Sequence, residues 1–130
     1  MTSSYVLDSY AWVEYFRGTE KGETVRVLLE NMACFTPAIV IAELSDKYAR
    51  EKYDFWEQDL QFIIENSSII DLGKEIAAEA GKIKQAVRKK YKNNFGLADA
   101  IILSTARKIN AQVVTGDLHF KKIKNVEFLK

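Results

Sequence analysis

The sequence predicts an α/β protein in three layers, with helices on both faces of a central, mostly parallel sheet of four to five strands. Short runs of β-branched residues alternate with longer segments in which apolar residues have helical spacing, a pattern typical of parallel sheets. The chain has 130 residues, of which 48% are apolar and 28% are charged, as in ordinary globular proteins. This length suits one domain and leaves little room for a second, so we expect a single domain over residues 1–130.

The predicted elements follow from the spacing of apolar residues and from capping residues. In chain order they are a strand at 5–7, a helix around 12–16 that stops near Gly18, a helix at 24–32, a strand at 34–36, a helix from 37 to near 50, a helix at 54–65, a strand at 68–71, a long helix from 73 to near 89, a helix at 95–110, a strand at 112–115 and a weak strand around 126–128. Thr36 and Pro37 are expected to be the N-cap and the first residue of the third helix, because both residue types favour those positions.

Several features indicate a protein of the reducing cytoplasm. No apolar run approaches the roughly 20 residues that span a bilayer, so a membrane helix is excluded. The N-terminus has neither the positive segment nor the long apolar segment of a signal peptide. The single cysteine, Cys34, cannot form an internal disulfide, and its apolar surroundings favour a buried side chain over a reactive thiol.

Two acidic residues follow predicted strands. Asp8 comes directly after the first strand, and Asp117 follows the fourth strand and Gly116. The carboxyl ends of parallel strands lie along one edge of a sheet, where ligands of open α/β folds bind. Each residue also has a structural interpretation: Asp8 can cap a helix, and Asp117 can be a turn residue.

Two further acids lie inside apolar helices. Glu43 is in the segment 38–44, and Asp99 is in the first turn of a helix that is apolar nearly all round. A buried carboxylate needs a partner, and no base stands beside Asp8, Glu43 or Asp99 in the sequence. A cluster of carboxylate oxygens suits Mg²⁺ or Mn²⁺ better than Zn²⁺, and such ions serve phosphodiester hydrolysis. We therefore predict that Asp8, Glu43, Asp99 and Asp117 are the metal-binding and catalytic residues.

A basic run is the second charged feature of the chain. The formal net charge is only +1, but six bases and no acid occur between residues 82 and 92: Lys82, Lys84, Arg88, Lys89, Lys90 and Lys92. Such a run is either a solvated helix face or a phosphate-binding surface. A nuclease site nearby would favour the second interpretation, with Arg88, Lys89, Lys90 and Lys92 as candidate RNA-binding residues.

In four segments the sequence resembles the PIN-domain family, and within it the toxin ribonucleases of the VapC type. These segments are Tyr5-Val-Leu-Asp8-Ser9, Pro37-Ala-Ile-Val-Ile-Ala-Glu43-Leu44, Leu97-Ala-Asp99-Ala-Ile-Ile-Leu-Ser-Thr-Ala106 and Val114-Thr-Gly-Asp117-Leu-His-Phe120. The resemblance covers nearly the whole chain. It implies a PIN-like nuclease domain over residues 1–130, with metal-binding acids at the four positions above. The expected activity is that of an endoribonuclease that uses one or two Mg²⁺ or Mn²⁺ ions and leaves a 5′-phosphate. The expected partners are RNA, a second copy of the chain and a small antitoxin protein.

Other residues near these motifs have less certain roles. Ser9 and Thr115 could hydrogen-bond to the ligand carboxylates, or could be a cap and a strand-end hydroxyl. Many relatives carry a further acid where Gly96 or Phe120 stands here, which is consistent with one firmly held ion. His119, the only histidine, is interpreted as a surface or packing residue rather than a metal ligand.

Two other functions were considered. A phosphatase of the haloacid dehalogenase type needs a second aspartate where Tyr10 stands, and a receiver domain needs paired acids at the first strand. A Mg²⁺-dependent phosphotransfer domain is therefore less consistent with the sequence than a nuclease. A non-catalytic PIN-like interaction module would not need the four acids intact.

Overall fold

The computed structural model describes residues 3–130 and contains one sheet of five strands, all parallel. The strands are β1 (Ser4–Leu7), β2 (Ala33–Pro37), β3 (Ser68–Ile70), β4 (Gln112–Thr115) and β5 (Val126–Phe128). Their order across the sheet is β3-β2-β1-β4-β5. The predicted parallel sheet of four to five strands is therefore confirmed.

Six helices flank the sheet and complete the predicted three-layer α/β/α architecture. They are α1 (Ser9–Arg17), α2 (Glu20–Asn31), α3 (Ala38–Glu51), α4 (Trp56–Asn66), α5 (Lys74–Tyr91) and α6 (Leu97–Lys108), and a short 3₁₀ turn spans Leu118–Phe120. The long helices α5 and α6 pack against each other, as do α1 and α2. None of the helices in residues 3–130 combines the length and the apolar character needed to cross a membrane.

The strand order changes direction at β1, and this point positions the site. β1 pairs with β2 on one side and with β4 on the other, and Leu7 of β1 is in register with Val114 of β4. The Asp8 N–H donates to the Val114 carbonyl at 3.4 Å, so the carboxyl ends of β1 and β4 lie side by side. Ligands of open α/β sheets bind at such a switch point.

The core lies between the sheet and the helices. The inner strand residues Val6, Leu7, Val113 and Val114 are fully buried, since both faces of the sheet are covered. Cys34 is buried as predicted, and burial raises the pKa of its thiol to about 11. A thiol with such a pKa is poorly reactive at neutral pH.

Two predictions of local structure were wrong. Helix α2 begins at Glu20 rather than Thr24, because Thr19 is its N-cap and its hydroxyl accepts a hydrogen bond from the Gly22 N–H at 3.0 Å. Pro37 is the N-cap of α3, which begins at Ala38, and is not its first residue as predicted. Thr36 does not cap α3. It lies in β2, where its buried hydroxyl accepts from the Trp12 indole N–H at 3.1 Å and lies 2.7 Å from the Ser67 hydroxyl. Long-range hydrogen bonds therefore take the place of the predicted cap.

Candidate metal centre

The position of Asp8 is compatible with both roles that the sequence left open, helix cap and metal ligand. It is the N-cap of α1, and its Oδ1 accepts a hydrogen bond from the Ala11 N–H at 2.9 Å. Its side chain is 4% exposed, and burial raises the pKa of the carboxyl to about 7, against the lowering effect of hydrogen bonds from Thr115 and Ala11. The negative charges of Glu43 and Asp117 raise this pKa further. The cap uses Oδ1 of Asp8, and the carboxyl group still lies beside the other acids.

Asp99 and Asp117 meet at the same edge of the sheet. Asp99 lies in the first turn of α6, and its Oδ2 accepts from the Gly96 N–H at 3.0 Å. Asp117 follows β4, and its Oδ1 accepts from the His119 N–H at 2.9 Å, which starts the 3₁₀ turn. Ligand atoms of Asp99, Asp117 and His119 all lie within 4.8 Å of one another.

Glu43 reaches this group from the second turn of α3. Burial raises the pKa of its carboxyl, and the charges of Asp99 and Asp117 raise it further. Its buried Oε1 has no hydrogen-bond partner among the described residues. An unpaired buried carboxylate oxygen is costly, so this atom is placed to receive a ligand.

The four predicted acids are thus brought together rather than dispersed. Asp8 interacts electrostatically with Glu43 and Asp117, and Asp99 interacts with Asp117. Burial raises the pKa of Asp99 as well. Within residues 3–130, no lysine or arginine forms an ion pair with any of the four. Lysine and arginine side chains of the described residues therefore leave this repulsion uncompensated, and the basic side chain that lowers the pKa of Asp99 is that of His119.

Comparisons with known proteins show the family of this chain. The PIN domain family model matches residues 5–126. The chain belongs to the PIN domain family. A comparison with curated protein sequences finds no match.

Solved structures similar to this PIN domain include toxins and toxin–antitoxin complexes. VapBC2 from Rickettsia felis, bound to a DNA fragment from its promoter, is 25% identical with a TM-score of 0.70, over 98% of this chain and 97% of that one. A toxin–antitoxin complex from Klebsiella pneumoniae is 22% identical with a TM-score of 0.73, over 97% and 98% of the two chains. VapC20 from Mycobacterium tuberculosis, a toxin that cleaves the sarcin-ricin loop, is 16% identical with a TM-score of 0.76, over 97% and 99%. The predicted resemblance to VapC-type PIN domains is confirmed.

The donor set of this PIN domain fits a divalent cation. Four carboxyl groups supply hard oxygen ligands, and three of them have a raised pKa because ionisation is unfavourable in their surroundings. A bound dication would stabilise the ionised forms and would satisfy Glu43 Oε1. Asp99 and Asp117 have ligand atoms within 4.8 Å of each other, and Asp8 and Glu43 interact electrostatically with this pair.

His119, which was interpreted from the sequence as a surface or packing residue, lies beside Asp99 and Asp117. Its Nδ1 lies 3.6 Å from Asp99 Oδ2 and 3.5 Å from Asp117 Oδ1, and among the described residues it has no hydrogen-bond partner. It is therefore part of the acidic cluster rather than a plain surface or packing residue. The signal in the sequence was its spacing of two residues from Asp117 across a tight turn.

Ser9 and Thr115 lie next to the ligand carboxylates. The Ser9 hydroxyl lowers the pKa of Glu43, and the Thr115 hydroxyl lowers that of Asp8. Thr115 Oγ1 also accepts from the Asp117 N–H at 3.0 Å. Both residues are thus placed to orient the acids, which remains a prediction of their role.

A cavity of about 480 Å³ opens beside Glu43 and Asp117. The residues that line it are Ser9, Tyr10, Val13, Glu14, Arg17, Glu43, Asp46, Lys47, Arg50 and Asp117. Three bases line this cavity, Arg17, Lys47 and Arg50, and none of them was predicted from the sequence to belong to the site. Lys47 and Arg50 follow Glu43 at helical spacing on α3, which could have revealed them, whereas Arg17 comes from α1.

The predicted RNA-binding residues lie at the end of α5, outside that cavity. Lys89, Lys90 and Lys92 are exposed, whereas the Arg88 Nε donates to the Phe95 carbonyl at 2.7 Å. The loop after α5 reaches the acidic cluster, because Asn93 Nδ2 donates to the His119 carbonyl at 3.4 Å. Arg88 therefore fixes the position of this loop, whereas the three lysines are exposed to solvent and accessible to a ligand.

Proposed function

We propose that this PIN domain is a metal-dependent endoribonuclease that hydrolyses RNA phosphodiester bonds with Mg²⁺ or Mn²⁺. The observation that supports it best is the convergence of four carboxyl groups, with no lysine or arginine paired to them in residues 3–130, at the switch point of the sheet. Membership of the PIN domain family supports a nuclease at the level of the family.

In this proposal Asp8, Asp99 and Asp117 hold the ion, and Glu43 completes the cage or orients the attacking water. A bound divalent ion would activate water and neutralise charge on the attacking and leaving oxygens. Ser9 and Thr115 fix the orientation of the carboxylates through their hydroxyls.

The basic residues provide the contacts to RNA. Arg17, Lys47 and Arg50 line the cavity beside the acids, where phosphates next to the cleaved bond would lie. The predicted set of Arg88, Lys89, Lys90 and Lys92 would add salt-dependent affinity without sequence choice. An RNA substrate agrees with the similar fold of VapC20, a toxin that cleaves the sarcin-ricin loop.

We further propose that the protein is the toxin of a toxin–antitoxin pair and acts as a single PIN-like domain over residues 1–130 in the cytoplasm. The similar folds include two toxin–antitoxin complexes, which supports a small antitoxin as partner. A homodimer remains a prediction from the family resemblance.

Cleavage of a defined pool of single-stranded RNA tests the activity. The purified protein should cleave RNA with Mg²⁺ or Mn²⁺ and be inactive with EDTA, and mapping of the ends should show 5′-phosphates. Asp8→Asn and Asp99→Asn should abolish cleavage, whereas Asp71→Asn, an exposed acid outside the cluster, should not. Undiminished cleavage by both cluster variants would refute the assignment. RNA binding without cleavage would favour a non-catalytic PIN-like module.

A further inference from the structure

Three segments that are remote in sequence converge on the outer face of α5 and α6. The end of α5 supplies Lys90 and Tyr91, the end of α6 supplies Arg107, and the segment 121–125 supplies Lys124. The Tyr91 hydroxyl donates to the Lys122 carbonyl at 3.1 Å, which ties the last of these segments to α5. Together they enclose a cavity of about 230 Å³, which we call the cationic groove.

The groove has an apolar floor and a basic rim. Ile83, Val87 and Ile123 are buried in the floor, and Lys90, Arg107 and Lys124 stand exposed at the rim. Among the described residues, none that lines the cavity is acidic. The groove thus collects positive charge over a small area, although the chain has a formal net charge of only +1.

The rim cations lack the acidic partners that other surface bases of this protein have. Arg26, Arg50 and Lys108 form ion pairs with acids on their own or neighbouring helices. In the part of the chain that the structure describes, no carboxylate forms an ion pair with Lys90, Arg107 or Lys124. Lys121 and Lys122 add two more exposed cations beside the groove. Grouped cations without counter-charges favour a polyanion.

The groove is continuous with the acidic cluster along the chain. Asp117 starts the 3₁₀ turn Leu118–Phe120, and Lys121 follows it directly. Tyr91, which lines the groove, stands two residues before Asn93, whose side-chain amide donates to the carbonyl of His119 in the acidic cluster at 3.4 Å. A strand of nucleic acid whose reacting phosphate lies at the carboxylates can therefore extend towards the groove.

We propose that the cationic groove binds the sugar–phosphate backbone of the RNA substrate, away from the bond that is cleaved. This inference rests on the proposed ribonuclease function and deepens it. It departs from the basic run predicted by the sequence, because Arg88 is bonded to the Phe95 carbonyl while Arg107 and Lys124 join Lys90 from other elements.

The test compares two triple variants that carry the same charge. The groove variant is Lys90→Gln, Arg107→Gln and Lys124→Gln, and the control variant is Lys52→Gln, Lys74→Gln and Lys130→Gln, all exposed lysines elsewhere. A fluorescent single-stranded oligoribonucleotide is titrated with each full-length protein in EDTA, where cleavage is blocked, over a range of salt concentrations. Circular dichroism and thermal unfolding establish that both variants are folded.

The groove variant should bind about ten-fold or more weakly, and its slope of log affinity against log salt should fall by about 2, at about 0.7 per lost phosphate contact. The control variant should keep the slope of the unmodified protein. With Mg²⁺ or Mn²⁺, the groove variant should cleave long RNA less efficiently than the control variant does.

Equal slopes for the two variants would overturn the proposal. So would a groove variant that binds RNA normally but changes its self-association in sedimentation, which would make the groove a protein contact. If the unmodified protein cleaves no RNA and the groove variant still loses RNA binding, RNA binding by the groove is supported and the proposed nuclease activity is refuted.

Discussion

At the scale of single residues, Asp8 is a buried acid whose pKa is raised far above its ordinary value. The native state holds its carboxyl 4% exposed at the switch point of the sheet, beside Glu43 and Asp117. The ordinary pKa of an aspartate is 3.8, and burial raises that of Asp8 to about 7. Between these two values the native state holds a proton that the unfolded chain has lost. Without metal, the contribution of Asp8 to stability therefore decreases as pH rises through this window.

Asp8→Asn should for this reason stabilise the metal-free protein at pH 8 while abolishing RNA cleavage. The amide keeps the cap, since asparagine is as good an N-cap as aspartate, and it removes the buried charge. A difference of about 3 pKa units gives an upper limit of roughly 4 kcal/mol. Urea unfolding in EDTA at pH 8 and pH 4 measures the effect, which should vanish at the lower pH. Asp71→Asn is the matched control, and equal stability of Asp8→Asn and the unmodified protein at pH 8 would contradict the electrostatic account.

The sequence located the acids better than the other residues of the site, for a physical reason. Asp8 and Asp117 follow strands, and parallel strands bring their carboxyl ends together whatever the details of packing. His119 and Arg17 reach the site through the direction of their side chains across a turn and a helix. Such directions depend on how elements pack, which the local sequence does not specify. The metal-binding role of the four acids stays a prediction.

At the scale of elements, regular segments were predicted well and their starts less well. The strands at 112–115 and 126–128 have the predicted bounds, and the first helix ends at Gly18, which adopts the left-handed conformation. The start of α2 was missed because Thr19 caps a first turn with few apolar residues. The prediction that Thr36 caps α3 was wrong because its hydroxyl forms tertiary hydrogen bonds with Trp12 and Ser67 instead.

The packing of α1 on α2 depends on the absence of a side chain at Gly22. A Cβ at this position would lie 2.1 Å from the Glu14 carbonyl oxygen, which belongs to the backbone of α1. Gly22→Ala should therefore destabilise the protein by about 1–3 kcal/mol or more, since two helices must move apart. Gly81→Ala is the control: it lies in α5 with open space around it and should stabilise by about 0.5–1 kcal/mol. Opposite signs in urea unfolding are expected, and a neutral Gly22→Ala would mean that the helices do not touch there.

At the scale of the whole molecule, the acidic cluster joins segments from both ends of the chain. Asp8 follows the first strand, Glu43 comes from α3, and Asp117 follows the fourth strand. The pKa of three of the four acids is raised, mainly by burial and further by repulsion from neighbouring acids, so their ionisation is unfavourable in the metal-free fold. A ligand that binds the folded state and relieves this repulsion must stabilise the entire domain.

Mg²⁺ or Mn²⁺ should therefore raise the midpoint of thermal unfolding, and EDTA should reverse the rise. The shift should be larger at pH 8 than at pH 5, because carboxyl groups with a raised pKa hold protons at the lower pH and must lose them to bind a cation. Asp99→Asn removes one of the candidate ligands and should reduce or abolish the shift, while Asp71→Asn should retain it. Differential scanning fluorimetry at fixed ionic strength separates specific binding from screening. A shift of equal size in Asp99→Asn, or one that grows on lowering the pH, would mean that the ion binds elsewhere on the protein.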